Sequence, residues 1–397
     1  MRAVRVGICG DFREERWPSM DRVASMLYRH LQQSHAGAVT ATLLCPPFSR
    51  RFTRVPVPVG GRTRPAVNAD RFLNRFWDYP RSVGRAVNDH DVFHIVDHSY
   101  AHLAHALPAE RTVVTCHDLD AFRSVLAPVE DRRSAAFQAV TRRILAGLQR
   151  AARVTCDTAA IRDELVSRGL VREDRLVVAP LGVHDVFTVQ PAAAADRAAA
   201  RLVQSPPGVV EILHVGSTAA RKRIDVLLRI AAAVRARMPE VRLIRIGDPL
   251  TADQQRLSRT LGLADHVVCL DDVDEPTLAA LYRRAAIVLQ PSEREGFGLP
   301  LIEAMACGTP VVASDLAALR EVGGDAVMYC PVGDVEHWRE TVATLLTERR
   351  EAPAQSEVRR AHARRRAAQF TWQAFAASMA GVYLSLTESR RSLKVAV

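Results

Sequence analysis

Two successive sets of short apolar runs, separated by longer amphipathic segments, dominate the sequence. Runs rich in β-branched residues predict strands. The helical segments between them predict parallel strands, because parallel neighbours require a crossover connection. A Pro- and Ala-rich stretch at about 189–208 separates the two sets, and we interpret it as a linker whose Ala-rich middle can be helical. The predicted strands are 4–9, 39–44, 92–96, 112–115, 153–156 and 176–179, then 211–215, 241–246, 267–270, 287–290, 310–313 and 326–329.

Each set of strands resembles a complete doubly wound sheet. The chain of 397 residues also has the length of two ordinary domains. We therefore predict an α/β protein of two Rossmann-like domains, at 1–188 and 189–371. Ligands of such sheets bind at the carboxyl ends of the strands, so we expect functional residues in the loops at those ends.

The charge of the chain favours an anionic partner. Its net charge is +10, which fits nucleic acid, a membrane surface or a phosphorylated substrate. Lysine occurs only at Lys222 and Lys394, and all other cationic side chains are arginines. Because this skew reflects a general bias in composition, arginine clusters are weak evidence of function. A lysine in such a chain is stronger evidence.

The cysteines and the amino terminus predict a cytoplasmic protein. Seven cysteines are scattered without a CxxC pair, which favours reduced buried thiols over a disulfide framework or a zinc site. The first ten residues read as a strand and lack the layout of a signal peptide. No apolar run is long enough to cross a bilayer. An arginine-rich span at 359–366 leaves weak peripheral contact with an anionic membrane open, but the bias towards arginine favours a solvated helix face.

The most informative stretch is QPSEREGFGLPLIEAMACGTPVVASD, at 290–315. It predicts a strand end, a glycine-containing loop, and a helix that starts near Pro300 and ends before Gly308. The start of such a helix presents unpaired N–H groups to an anion. Glu295 and Glu303 flank it, which suits a ligand with hydroxyls on both sides of a diphosphate, as in a nucleotide sugar. Helix-dipole stabilisation would explain either glutamate alone, but packing does not require the whole string.

This stretch resembles the E-x7-E signature of the retaining, metal-independent GT-B glycosyltransferases of family four. The resemblance implies that Glu295 contacts the donor sugar and Glu303 the ribose. It also implies two Rossmann-like domains facing a cleft, and a C-terminal helix at 372–390 that packs back on the first domain. The backbone that would hold the sugar and the diphosphate belongs to Gly296, Phe297, Gly298, Leu299 and Pro300.

A second candidate site is HVGSTAARKRIDVLL, where a predicted strand is followed by Gly216 and a basic cluster. The compact charge of Lys222 and the paired N–H donors of Arg221 suit the binding of a phosphate. The alternative interpretation is a solvated basic turn. The family resemblance agrees, since its members carry an Arg-Lys pair after a glycine turn. Many members also carry an arginine directly after that glycine, where this chain has Ser217. Part of the phosphate binding therefore passes to Ser217, Thr218 or backbone N–H groups.

The first domain contributes a predicted strand that runs into His117. A lone histidine is usually structural, but in the family a histidine at this place contacts the donor sugar, and we carry that role to His117. We expect Asp11, His98 and Tyr100 on the acceptor side. Trp17–Met20 replace the paired glycines of the family in the first turn, so acceptor preference is not transferred from relatives.

These patterns predict an enzyme: a hexosyltransferase that moves sugar from a UDP- or GDP-sugar to a hydroxyl of a glycan, lipid-linked or small-molecule acceptor. The acidic cluster Asp271, Asp272, Asp274 and Glu275 precedes a predicted helix, so we interpret it as capping and predict neither metal nor other cofactor. We also expect no nucleic-acid partner. The alternatives are another GT-B activity, such as a sugar-nucleotide epimerase or a phosphorylase, and a non-catalytic nucleotide-sugar-binding protein.

Overall fold

The computed structural model describes residues 2–15, 17–53 and 64–395, and the chain forms two compact units. The first unit contains residues 1–181 and 372–397, and the second contains residues 182–371. Among the described residues, no helix is both long enough and apolar enough to span a membrane.

The first unit is built on a parallel sheet of order β2-β1-β3-β4-β5-β6. Its central strands β3 and β4 are buried throughout, because helices cover both faces of the sheet. Its strands are β1 Val4–Cys9, β2 Val39–Leu44, β3 Val92–Ile95, β4 Thr112–Cys116, β5 Arg153–Cys156 and β6 Leu176–Val178. Its helices are α1 Pro18–Ser34, α2 Arg64–Leu73, α3 Tyr79–Arg85, α4 Arg123–Leu126, α5 Ala135–Arg150, α6 Ala159–Ser167 and, from the end of the chain, α15 Trp372–Val395.

The second unit repeats this design with a parallel sheet of order β12-β11-β10-β7-β8-β9. Its strands are β7 Val210–Val215, β8 Val241–Ile246, β9 Val267–Leu270, β10 Ile287–Gln290, β11 Val311–Ser314 and β12 Met328–Cys330. Its helices are α7 Ala193–Val203, α8 Ile224–Arg235, α9 Ala252–Thr260, α10 Glu275–Arg284, α11 Leu299–Ala306, α12 Ala317–Gly323, α13 Val335–Glu351 and α14 Pro353–Ala367.

All twelve predicted strands are present, with ends that differ by at most two residues. The helical middle expected for 189–208 is present as α7, but this helix is packed into the second unit, so the stretch does not act as a free linker. Ala195, Ala199 and Val203 recur every four residues and are buried, which gives the helix one packed face. An ion pair of 2.6 Å between Asp196 and Arg283 ties it to α10.

A buried polar chain joins α15 to the sheet of the first unit. The Tyr383 hydroxyl lies 2.7 Å from His94 Nδ1, and His94 Nε2 lies 2.7 Å from Thr115 Oγ1. Burial lowers the pKa of His94 to about 3 and raises the pKa of Tyr383 well above its usual value. The imidazole is therefore neutral, the tyrosine donates to Nδ1, and Nε2–H donates to the threonine. This chain satisfies polar groups that would be costly to bury unpaired.

We predict that Tyr383→Phe destabilises the protein by about 1–3 kcal/mol, because it leaves His94 Nδ1 buried without a donor. The change should appear as a lower midpoint of thermal unfolding. Tyr28→Phe is the matched control, since Tyr28 is half-buried and its hydroxyl makes no hydrogen bond with the described residues. It should change stability by less than about 0.5 kcal/mol. Equal effects of the two substitutions would contradict the assigned role of the Tyr383 hydroxyl.

Candidate active site

The strand order of the second unit reverses between β7 and β10, which makes their carboxyl ends a topological switch point. Open α/β sheets bind ligands at such points. The segment after β7 carries Arg221 and Lys222, and the segment after β10 carries Glu295. A backbone hydrogen bond of 2.8 Å, from Glu293 N to Arg221 O, ties the two segments together. The fold therefore brings together two parts of the chain that lie about seventy residues apart.

The carboxylate of Glu295 is the centre of this site, and its side chain is only 6% exposed. Among the described residues, four side chains donate hydrogen bonds to it. Lys222 Nζ lies 2.5 Å from Oε1, and Arg221 Nη1 lies 3.2 Å from Oε2. Ser292 Oγ and Gln290 Nε2 donate to Oε1 over 2.8 and 2.9 Å. The carboxylate thus fixes both cations that the sequence predicted for phosphate binding.

The charge of Glu295 is maintained despite its burial. Burial alone raises the pKa of this carboxyl, but Lys222 first and Arg221 second outweigh it and lower the pKa to about 2. Glu295 is therefore ionised at neutral pH, and it compensates positive charge that would otherwise be buried unpaired.

Ser292 and Gln290 are contacts that the sequence analysis missed. Gln290 ends a strand that is otherwise apolar, and a buried amide at the carboxyl end of such a strand is a usable signal. Ser292 is fully buried in the following loop, and a single serine in a polar loop carries no comparable signal.

Helix α11 begins beside this carboxylate, as predicted. Gly298 precedes it with φ of 92°, a conformation that favours glycine. A Cβ at this position would also lie 2.7 Å from Leu319 Cδ2, so a larger residue would clash. Pro300 lies in the first turn, where its missing N–H does no harm. The ring of Phe297 is buried against Phe370, with centroids 5.7 Å apart. Because Leu301 N already donates to Gly298 O and Pro300 has no N–H, Leu299 N–H is the group that the first turn of α11 can present to an anion.

Glu303 lies one turn inside α11 and is 3% exposed. The hydroxyl of the buried Tyr282, on α10, donates a hydrogen bond of 2.9 Å to Glu303 Oε2. This bond orients the carboxylate. Its contact with a ribose stays a prediction.

The first unit has its own switch point between β1 and β3, and Asp11 and Asp97 follow these two strands. Both carboxyl groups are buried and close enough to interact electrostatically, and neither Asp11 carboxylate oxygen has a hydrogen-bond partner among the described residues. Burial, and then the charge of Asp97, raise the pKa of Asp11, so Asp11 holds the proton. Asp97 accepts from Ser99 N and Ser99 Oγ over 2.8 and 2.5 Å, which favours its ionised form. The pair offers both a donor and an acceptor to a hydroxyl-bearing ligand.

His117 is hydrogen-bonded at both ring nitrogens. Nδ1 lies 2.7 Å from Asp157 Oδ2, and Nε2 lies 2.7 Å from Val96 O. Burial lowers the pKa of His117, but Asp157 more than offsets it and the pKa rises to about 9. Both nitrogens therefore donate, and the ring is an imidazolium held within the first unit. Its contact with a donor sugar stays a prediction.

The other predicted residues of the first unit are also engaged. His98 Nδ1 accepts a hydrogen bond of 3.3 Å from His117 N. The Tyr100 hydroxyl accepts from Phe12 N over 3.3 Å, and Arg75 lies 4.0 Å from the centre of its ring. Tyr100 thus holds the turn that carries Asp11.

The acidic cluster after β9 contains a helix cap. Asp274 accepts a hydrogen bond of 2.8 Å from Thr277 N at the start of α10, as the sequence predicted. No group of three or more His, Cys, Asp or Glu side chains within residues 2–15, 17–53 and 64–395 is arranged to hold a metal ion.

His214, on β7, is a further buried group of this site that the sequence analysis did not select. It is 1% exposed, and neither ring nitrogen has a hydrogen-bond partner in the described part of the chain. Burial first, then the charges of Arg245 and Lys222, lower the pKa of His214 to about 3, against a smaller opposing effect of Glu295. The imidazole is therefore neutral at physiological pH.

We predict that His214→Phe reduces the acid sensitivity of the protein. The pKa of His214 is lower in the folded state than the unfolded value of about 6.5, so the unfolded state binds more protons below that pH and stability falls as the pH falls. Between pH 6.5 and 5.0 the variant should lose about 2 kcal/mol less than the wild type. The measurement is chemical unfolding at both pH values.

The exposed His337, changed to Asn, is the control and should leave the pH dependence unchanged. Parallel pH profiles for wild type and His214→Phe would contradict the assignment of a buried neutral imidazole.

Comparison with known proteins supports this description of the chain. The family model described as Glycosyltransferase Family 4 matches residues 20–187, and the model described as Glycosyl transferases group 1 matches residues 210–348. The D-inositol 3-phosphate glycosyltransferase 2 of Catenulispora acidiphila is 39% identical over 210 residues, which are 50% of this chain and 48% of that protein. Aligned regions cover between 41% and 60% of the curated relatives, so the chain spans about half of their length.

Solved structures match over nearly the whole chain. Sucrose-phosphate synthase from Thermosynechococcus elongatus has a TM-score of 0.72 and 21% identity, covering 98% of this chain and 100% of the other. Anabaena HepE, in complex with UDP-glucose, has a TM-score of 0.65 and 17% identity, covering 96% of this chain and 99% of the other. These likenesses show the fold. With both family models and the two parallel six-stranded sheets, they establish that this chain belongs to glycosyltransferase family four and has the GT-B fold.

Proposed function

We propose that this protein is a retaining hexosyltransferase that uses a UDP- or GDP-sugar and requires no metal ion. The observation that supports this most directly is the pair Arg221 and Lys222, held on the ionised Glu295 beside the start of α11. Two positioned cations and a helix amino end are the groups that a departing diphosphate needs.

In this proposal the site acts on the charge that develops during transfer. The bond from the anomeric carbon to the diphosphate loosens, and negative charge gathers on the phosphate oxygens. Lys222 and Arg221 turn part of their hydrogen bonding from Glu295 to these oxygens, together with the N–H group at the start of α11. Glu295 already holds both cationic side chains at the site, so they need to move little to reach the phosphate oxygens.

The same exchange would free Glu295 Oε1 to accept a hydroxyl of the hexose, while Glu303 binds the ribose. His117 keeps its predicted role at the donor sugar. The acceptor hydroxyl attacks from the face that the diphosphate leaves, and a phosphate oxygen takes its proton, so the anomeric configuration is retained. Asp11, His98 and Tyr100 remain the proposed acceptor-side residues.

The names of similar proteins guide the choice of substrates. HepE was crystallised with UDP-glucose, which makes a UDP-sugar the first donor to test. Curated relatives are named D-inositol 3-phosphate glycosyltransferases, which makes a cyclic polyol and its phosphate the first acceptors to test. Glycans, lipid-linked sugars and small natural products remain in the panel.

The proposal is tested by release of UDP or GDP from a panel of nucleotide sugars, with and without acceptors and with excess EDTA. We expect release that depends on an acceptor and persists in EDTA, and a product with the anomeric configuration of the donor by NMR. Loss of turnover in EDTA would contradict metal independence. Interconversion of donors without release would indicate an epimerase, and binding without any reaction would indicate a non-catalytic protein.

We predict that Glu295→Gln lowers turnover about 100-fold or more, a loss of the size caused by removing one transition-state contact, while UDP or GDP binds at least as tightly as before. The neutral amide keeps the shape of the side chain but no longer competes with phosphate for Lys222 and Arg221. Steady-state turnover and calorimetric titration measure the two effects.

Glu293→Gln is the matched control, because Glu293 lies in the same loop and pairs with Arg223 and Arg294 instead. It should leave turnover within about twofold. Unchanged turnover of Glu295→Gln would show that this carboxylate has no part in transfer.

A further inference from the structure

Arg245, at the carboxyl end of β8, lies directly behind the loop that follows β7. It is fully buried, and its Nη2 donates a hydrogen bond of 3.0 Å to Gly216 O. Its Nη1 donates to the carbonyl of Asp248. In the register of the sheet it pairs with His214, so the two side chains lie on one face.

No carboxylate neutralises Arg245 through an ion pair within the described residues. Its guanidinium donates to two backbone carbonyls and also lies beside the Cys269 thiol. The carboxylate of Asp248 instead accepts a hydrogen bond of 3.2 Å from Thr218 N. Burial lowers the pKa of Arg245, and Cys269 and the exposed Asp248 offset this only in part, so the buried charge calls for a further compensating interaction. Lys222 differs in this respect, because Glu295 compensates it.

The backbone at Gly216 is confined from two sides. Arg245 binds its carbonyl oxygen, and a Cβ at Gly247, where φ is 133°, would lie 2.1 Å from that same oxygen. Because the peptide group is planar and trans, fixing the Gly216 carbonyl also fixes the N–H of Ser217 in the opposite direction. That N–H has no hydrogen-bond partner among the residues that the structure describes.

We infer that Arg245 is a positioning residue of the diphosphate site, which aims the Ser217 N–H at the phosphate and supplies buried positive charge to it. This inference rests on the proposed function.

The test compares binding of UDP or GDP, whichever the donor panel selects, with binding of the corresponding nucleoside. Arg245→Met should weaken the diphosphate about tenfold or more, since hydrogen bonds and charge at the phosphate are lost. The nucleoside should bind within about twofold of its wild-type affinity. Arg245→Lys, which keeps the charge but not the fork, should be intermediate.

Arg242→Met is the matched control on the same strand. Arg242 also donates to a backbone carbonyl, that of Val203, over 3.1 Å, but lies three residues earlier on β8. It should change neither affinity. Arg245→Met removes the desolvation cost of a buried charge, which offsets the loss of a donor to two backbone carbonyls, so we expect the variant to fold.

The inference is overturned if Arg245→Met binds the diphosphate as the wild type does, or weakens diphosphate and nucleoside equally. Should that variant fail to fold, wild-type affinity of Arg245→Lys for the diphosphate would overturn it as well. A wild type that binds neither UDP nor GDP would refute the proposed function and the inference with it. If the wild type binds UDP or GDP and only the result for Arg245→Met differs from the expected one, the inference is wrong and the proposed function is unaffected.

Discussion

The ion pairs of Glu295 with Lys222 and Arg221 are the interaction on which the candidate site depends. Each of these groups would be costly to bury alone, and together they form a compensated set at the carboxyl ends of β7 and β10. Gln290 and Ser292 complete the hydrogen bonding of the carboxylate. The set therefore holds two cations in place beside the start of α11, where an anion is favoured by the helix itself.

The two units have the same sheet design, and each places polar groups where the order of its strands reverses. Each has six parallel strands whose order reverses once, and each carries buried ionisable residues at that reversal. The second unit has a glutamate with two cations, whereas the first has the Asp11 and Asp97 pair next to an imidazolium at His117. This difference in charge fits a proposed division in which the second unit binds phosphate and the first binds hydroxyls.

The strands of both sheets and the site at 290–315 could be predicted from the sequence. Strands in a buried parallel sheet are continuous apolar runs, and the stretch 290–315 contains a strand end, a glycine loop and a helix start in that order. Glu295, Lys222 and Arg221 were selected on local pattern and are brought together by the fold. Arg245 and His214 were not selected, because a polar residue within a strand shows its partner only when the neighbouring strand is known. The helical middle of 189–208 could be predicted from its alanines, whereas composition does not reveal the packed face that joins α7 to the second unit.

The most direct test is a crystal structure of the protein bound to the nucleotide sugar that supports turnover, with attention to the Nζ atom of Lys222. The account predicts that this atom lies about 2.7–3.2 Å from a phosphate oxygen, and that the diphosphate also contacts the start of α11. A diphosphate bound elsewhere, with Lys222 still paired to Glu295 alone, would contradict it.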